Sequence, residues 1–223
     1  MIRILTLSLG MIALAALGGF WLAASSQSGP GMAPVGAALA QETANPDAAM
    51  IAPYTLGNPD APIKLTEYAS FTCGHCAHFH DDVFKKLKAE YIDTGKVYFT
   101  YREIYWDPYA IWAGMLARCG GEMRFFGIVS ILYEKQREWI DPKDSAKTAD
   151  NLRQIGRTAG LTEDAMNACL SDAAMATALR DTSDQISKRD GIEGTPSMMI
   201  DGELHKNMSY SKLKEILDAK LAG

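Results

Sequence analysis

Cys73-Gly74-His75-Cys76 lies where one backbone periodicity gives way to another, and that junction leaves few folds open to the chain. Upstream, residues 63–69 (IKLTEYA) alternate like a strand, with Ile63, Leu65, Glu67 and Ala69 on one face. Glu67 therefore shares an apolar face. Downstream, Phe79, Val83, Phe84, Leu87 and Tyr91 recur at helical spacing, so the cysteine pair opens a helix. Residues 96–104 (KVYFTYREI), rich in aromatic and β-branched side chains after Thr94-Gly95, read as a second strand. Strand, helix, strand begins an α/β fold.

From Pro108 to Arg189 the signals are helical. Pro108 suits a first helical position, Gly120-Gly121 separates it from the apolar stretch 125–139, and Pro142 interrupts. Gly160 has the character of a residue just past a helix end, Thr162 of an N-cap, and Gly191 of a helix terminator. Strand character returns at residues 197–200, and an Asp201-Gly202 turn before residues 203–206 is a hairpin signature. Residues 211–217 then close the chain as an amphipathic helix. The expected order is β-α-β, a helical block over 108–189, and β-β-α.

The remainder precedes this unit. Residues 4–23 carry no charge, follow Arg3 and approach the length of a spanning helix. They read, within a 1–24 segment, as a signal peptide with a cleavage site at Ala38-Leu39-Ala40, or as an uncleaved membrane anchor. Either reading implies export to a periplasmic or other extracytoplasmic compartment. Six of the nine prolines fall between Pro30 and Pro62, and residues 25–59 read as a flexible linker. With 48% hydrophobic residues the 223-residue chain can bury a core, and its formal net charge of -5 offers no basic stripe for nucleic acid.

A Cys-x-x-Cys pair by itself serves zinc sites, haem attachment and redox dithiols alike. Haem attachment needs His directly after the second cysteine, and position 77 is Ala77. Structural zinc usually needs two further ligands at matched spacing, whereas Cys119 and Cys169 stand alone. His78 and His80 read as a solvated helix face, so no metal is expected. The redox reading uses the placement: a thiolate at a helix N-terminus is stabilised by unpaired N–H groups and the helix dipole. Cys73 takes that position, Cys76 one turn on is the resolving thiol, and a protonated His75 would favour the Cys73 thiolate further. Cys119 and Cys169, both in helical segments of an exported chain, are expected to form a structural disulfide.

Together, Glu67 on its strand, the run Ser70-Phe71-Thr72-Cys73-Gly74-His75-Cys76 and the later Gly194-Thr195-Pro196 resemble the DsbA-like branch of the thioredoxin superfamily. The likeness covers roughly residues 60–220. It implies a thioredoxin-like fold over 60–107 and 190–223 with an inserted helical domain over 108–189. It implies a cis proline at Pro196, Thr195 pairing with an extended substrate, and Glu67 as the buried acid that moves the resolving thiol's proton. The implied activity is that of a thiol:disulfide oxidoreductase with no cofactor beyond its own disulfide. It would introduce disulfides into folding exported proteins and be reoxidised by a membrane thiol oxidase of DsbB type.

Two positions depart from the prototype. Gly74 stands where proline is usual and Thr195 where valine is usual, and Gly74-His75 is similar to the dipeptide of protein disulfide isomerases. An isomerase or reductase kept reduced by a donor is therefore the alternative within the class. A non-catalytic interaction module with structural or metal-bound cysteines is the alternative outside it.

Overall fold

A computed structural model describes residues 50–223, so the apolar segment 4–23, the Ala38-Leu39-Ala40 triplet and most of the 25–59 stretch lie outside the described residues. The described chain begins with the short strand β1 (Tyr54–Leu56) and continues into β2 (Ile63–Ala69). The helical run α1 starts as Gly74–Phe79 and passes through π-helical turns at His80–Phe84 and Lys88–Ile92 on either side of Lys85–Leu87. Strand β3 (Val97–Glu103) follows. Six helices come next: α2 (Pro108–Cys119), α3 (Gly121–Glu134), α4 (Gln136–Trp139), α5 (Ser145–Thr158), α6 (Glu163–Leu170) and α7 (Ala173–Asp190). The hairpin β4 (Ser197–Ile200) and β5 (Glu203–Lys206) and the helix α8 (Tyr210–Ala222) complete the fold.

The sheet runs β1-β3-β2-β4-β5, with β2 and β3 parallel and every other pairing antiparallel. Parallel neighbours need a crossover, and α1 supplies it between β2 and β3. Strand β2 is central, which explains why five of its seven side chains are buried and only Lys64 is exposed. The alternation read from sequence understated this, because the inner strand of a covered sheet buries both faces. The hairpin turn has positive φ at both Asp201 (48°) and Gly202 (87°), the backbone that a two-residue Asp-Gly turn requires.

The helical block is delimited by side-chain caps. Asp107, Asp144, Thr162 and Asp172 accept from Ala110, Lys147, Ala165 and Met175 backbone N–H groups, and Ser209 does the same for α8. Gly191, at φ 67°, ends α7 in the left-handed conformation. Among the described residues no helix is long and apolar enough to cross a membrane.

The linker reading needs correction at its C-terminal end. Tyr54–Leu56, inside residues 25–59, pairs with β3. The Tyr54 ring stacks on Phe125 at 4.2 Å, and the Ile51 N–H donates to Thr182 Oγ1 at 3.0 Å. Three residues between Pro53 and Gly57 carry no periodicity of their own, and the strand is held by partners distant in sequence.

Cys119, at the end of α2, and Cys169, in α6, are joined by a disulfide across a sequence separation of 50. Closing a loop of that length removes denatured-state entropy worth roughly 2–4 kcal/mol. The Cys119→Ala, Cys169→Ala double variant should lose about that much stability in a denaturant titration, and mass mapping of the unreduced wild type should recover the linked peptides.

Candidate active site

The end of β2 leads through Ser70, Phe71 and Thr72 into Cys73, which is the N-cap of α1 with extended backbone (φ -79°, ψ 116°). Its carbonyl accepts from the N–H groups of Cys76 at 3.1 Å and Ala77 at 3.2 Å, which starts the helix. Because β4 is antiparallel to β2, the start of β4 lies beside the end of β2, and Tyr68 pairs with Ser197. Thr195-Pro196, a cis peptide, therefore faces the cysteines, and the Cys73 thiol donates to the Thr195 carbonyl at 3.3 Å.

The two thiols, both free, have opposite environments. Cys73 is half-buried and its pKa falls to about 5. The largest cause is the hydrogen bond from the Cys76 thiol; partial burial opposes it, and the Thr195 side chain and the Cys76 and His75 backbone N–H groups add to it. The Thr195 hydroxyl has no other partner, so it is free to turn to the thiolate. Cys76 is fully buried and its thiol is held far above the ordinary range, by burial first and then by its bond to Cys73. Glu67 is 3% exposed, and desolvation raises its carboxyl to about 8. A carboxyl in that range stays largely protonated at neutral pH, and Glu67 is close enough for its charge to act on Cys76.

Of the histidines in this helix, His80 departs from the sequence reading. His75 acts on Cys73 through its backbone N–H, while its side chain is exposed. His78 is exposed as expected, but His80 is not on a solvated face. It is buried, stacked on Phe84 at 5.0 Å and tilted against Tyr133 at 5.3 Å, with Nε2 3.2 Å from Ser130 Oγ, and burial lowers its pKa to about 4. The π-helical turn that begins at His80 rotates the following residues relative to a pure 3.6-residue count. Among the described residues no group of three or more His, Cys, Asp or Glu side chains stands together as a metal site.

Three polar residues around the cysteines were missed in the sequence. Gln136 of α4 donates from Nε2 to the Phe71 carbonyl at 2.8 Å and the Cys73 carbonyl at 3.0 Å, fastening the active-site loop to the helical block. In the sequence it stands among Glu134, Lys135, Arg137 and Glu138, so nothing there sets it apart. Tyr101 and Tyr133, from β3 and α3, join hydroxyls at 2.6 Å in the core. Space does not explain Gly74: a Cβ there would meet nothing nearer than Gln136 Oε1 at 4.0 Å.

Two grooves flank Cys73. One, of about 400 Å³, runs between Thr195-Pro196 and Leu204, His205 and Lys206 of β5. The other, of about 600 Å³ and largely apolar, lies between Thr72, Tyr109, Trp112 and Ile140.

The thioredoxin family model matches residues 50–219. A Rickettsia bellii protein classed as a protein-disulfide oxidoreductase is 34% identical over 164 residues, 73% of this chain and 62% of the relative. The chain thus spans about three fifths of the length of that relative. The disulfide bond formation protein D of Bacillus subtilis is 25% identical over 75% of this chain and 77% of its own. The crystal structure of Wolbachia pipientis alpha-DsbA1 superposes with a TM-score of 0.70 at 27% identity, over 75% of this chain and 89% of that one.

The depressed Cys73 pKa has a signed consequence. Between an unfolded thiol value near 9 and the folded value near 5, only the folded reduced protein holds a thiolate. The resulting stability of the reduced form is complete above about pH 9 and is lost as pH falls through about 5. Ultraviolet thiolate absorbance of the reduced protein should rise with a midpoint near 5, and unfolding curves should show the reduced form gaining on a Cys73→Ala variant as pH increases across that window.

Proposed function

The chain belongs to the DsbA-like branch of the thioredoxin family, and from that membership we propose that it is a thiol:disulfide oxidoreductase introducing disulfides into exported proteins through Cys73 and Cys76. The observation that carries the reading is the contrast between the two sulfurs: a half-buried Cys73 thiol lowered to about 5 and a buried Cys76 thiol pushed the other way. A substrate thiolate attacks Cys73 Sγ of the oxidised pair, the only accessible sulfur, and Cys76 leaves as a thiolate that takes a proton from Glu67. A second substrate thiolate then attacks the substrate sulfur of the mixed disulfide. Cys73 leaves readily because its thiolate is stabilised, and two electrons remain on the enzyme dithiol.

Thr195 and Pro196 hold the extended substrate, with the Thr195 backbone as pairing partner, and the two grooves take side chains on either side. The redox chemistry needs no cofactor or metal beyond the dithiol. A membrane thiol oxidase of DsbB type returns the pair to the disulfide, and the compartment is extracytoplasmic, with residues 4–23 serving as signal or anchor.

Cys73→Ser should abolish exchange. Cys76→Ser should accumulate mixed disulfides with substrates, because the thiol that would release them is gone; electrophoresis without reductant reads the trapped species, and their absence would reverse the assigned order of attack.

Stabilising the thiolate favours donating the disulfide, while Gly74 and Thr195 moderate the effect, so the potential is expected within about −270 to −120 mV. A glutathione redox titration measures it. A value at or below that of thioredoxin would transfer the assignment to the reductase or isomerase reading, which the Gly74-His75 dipeptide favours. A pair that neither alkylates nor reduces would leave the non-catalytic module.

A further inference from the structure

The Tyr101–Tyr133 hydroxyl pair has a hydrogen to spare. Two phenols carry two O–H hydrogens, and the 2.6 Å bond between them uses one. The other has no acceptor within hydrogen-bond distance among the described residues. Both side chains are almost completely buried, Tyr101 at 2% exposure and Tyr133 at 3%, so water does not readily take it. An unanswered donor in a core is costly, and such a site calls for a reason.

Strand register supplies one. Glu67 is the partner of Tyr101 across the parallel β2–β3 pair, with side chains on the same face of the sheet about 4.8 Å apart at the backbone. On its other side Glu67 pairs with Met198 of β4, which offers no proton. The titratable groups that face Glu67 are thus Tyr101 from β3, Tyr133 from α3 and Cys76 from α1, while Glu103 lies further along β3. Tyr133 also lines the surface cleft beside Gly74, Ala77 and His78, so the pair extends from the buried acid toward the start of the cysteine helix.

We propose that Tyr101, supported by Tyr133, is a positioning residue for Glu67, whose spare O–H is held for the carboxylate that Glu67 becomes when it gives its proton to Cys76. The proposal rests on the disulfide-exchange reading above. In the step concerned, the Glu67 O–H bond breaks and the Cys76 S–H bond forms; no electron changes owner, both tyrosines remain phenols, and the carboxylate later regains its proton from solvent. Burial holds both phenols well above their ordinary range, so they keep their hydrogens throughout the range in which Glu67 titrates. With Tyr133 donating to Tyr101, the hydrogen of Tyr101 is the free one, and polarisation along the chain strengthens it as a donor.

The test is a carbon-13 NMR titration of the Glu67 carboxyl in the oxidised protein, assigned with Glu67→Gln, for wild type, Tyr101→Phe, Tyr133→Phe and the double variant. Phenylalanine keeps the ring and its packing. Removing a donor from a carboxylate should raise the Glu67 midpoint by about one pH unit in Tyr101→Phe, a tenfold loss of carboxylate at neutral pH. A smaller rise is expected in Tyr133→Phe, and the double variant should equal Tyr101→Phe, since Tyr133 acts only through its neighbour. Attack of a dithiol peptide on the enzyme disulfide should slow in the same order. Unchanged midpoints with only a shift in Tm would overturn the proposal and make the pair a packing feature. A wild type that exchanges no disulfide, although the midpoint still moves in Tyr101→Phe, would keep the hydrogen bond and sink the oxidoreductase reading instead.

Discussion

Antiparallel pairing of β2 with β4 is the constraint from which the site follows. The two strands are separated by more than 120 residues, yet the pairing of Tyr68 with Ser197 sets the exit of one beside the entry of the other. Cys73 lies four residues beyond the end of β2 and Thr195 two residues before β4, so their contact at 3.3 Å is a consequence of register. The same pairing makes β2 an inner strand and thereby buries Glu67. One set of backbone hydrogen bonds thus supplies the partner of Cys73 and the desolvation that keeps an acid protonated near neutrality.

The helical block fixes this arrangement from above. Gln136 ties the Phe71 and Cys73 carbonyls, Ser183 Oγ accepts from the Tyr105 N–H at 2.9 Å, and Arg118 makes a two-pronged ion pair with Glu103 at 2.8 Å on each prong. Both partners of the ion pair are almost fully buried, and the Arg118 guanidinium lies over the Tyr54 ring at 5.0 Å. Desolvating two charges offsets much of their attraction, so the pair adds less to stability than to fixing a single docking geometry. That geometry carries the active-site loop with it.

Much of this was legible in the chain. The alternation at 63–69, the helical spacing after Cys76 and the Asp201-Gly202 turn are local signals, and each element stands where its local chemistry puts it. The positions of Cys73, Cys76, Thr195 and Pro196 relative to one another were legible through resemblance. What could not be read depends on partners distant in sequence. Tyr54–Leu56 is a strand only because β3 offers an edge, His80 is buried because Tyr133 and Ser130 of α3 pack against it, and Gln136 matters because the Cys73 loop has carbonyls to satisfy. The Tyr101–Tyr133 pair needs both the β2–β3 register and the docking of α3. The backbone N–H that His75 offers Cys73 is a property of the helix start and not of the residue type.

The two borders of the sheet are β1, three residues long, and β5, four residues long and carrying Glu203, His205 and Lys206. Unpaired strand edges recruit other extended chains, and short, charge-bearing edges resist that recruitment. For a protein whose proposed clients are unfolded polypeptides, this matters more than for most. Such clients arrive with free backbone along their whole length, and a long apolar border would capture them as permanent extra strands. A border of three residues and another broken by charge offer such a chain little to pair with, which in the proposed function leaves binding to the cysteine loop and lets a client go once its bond is made.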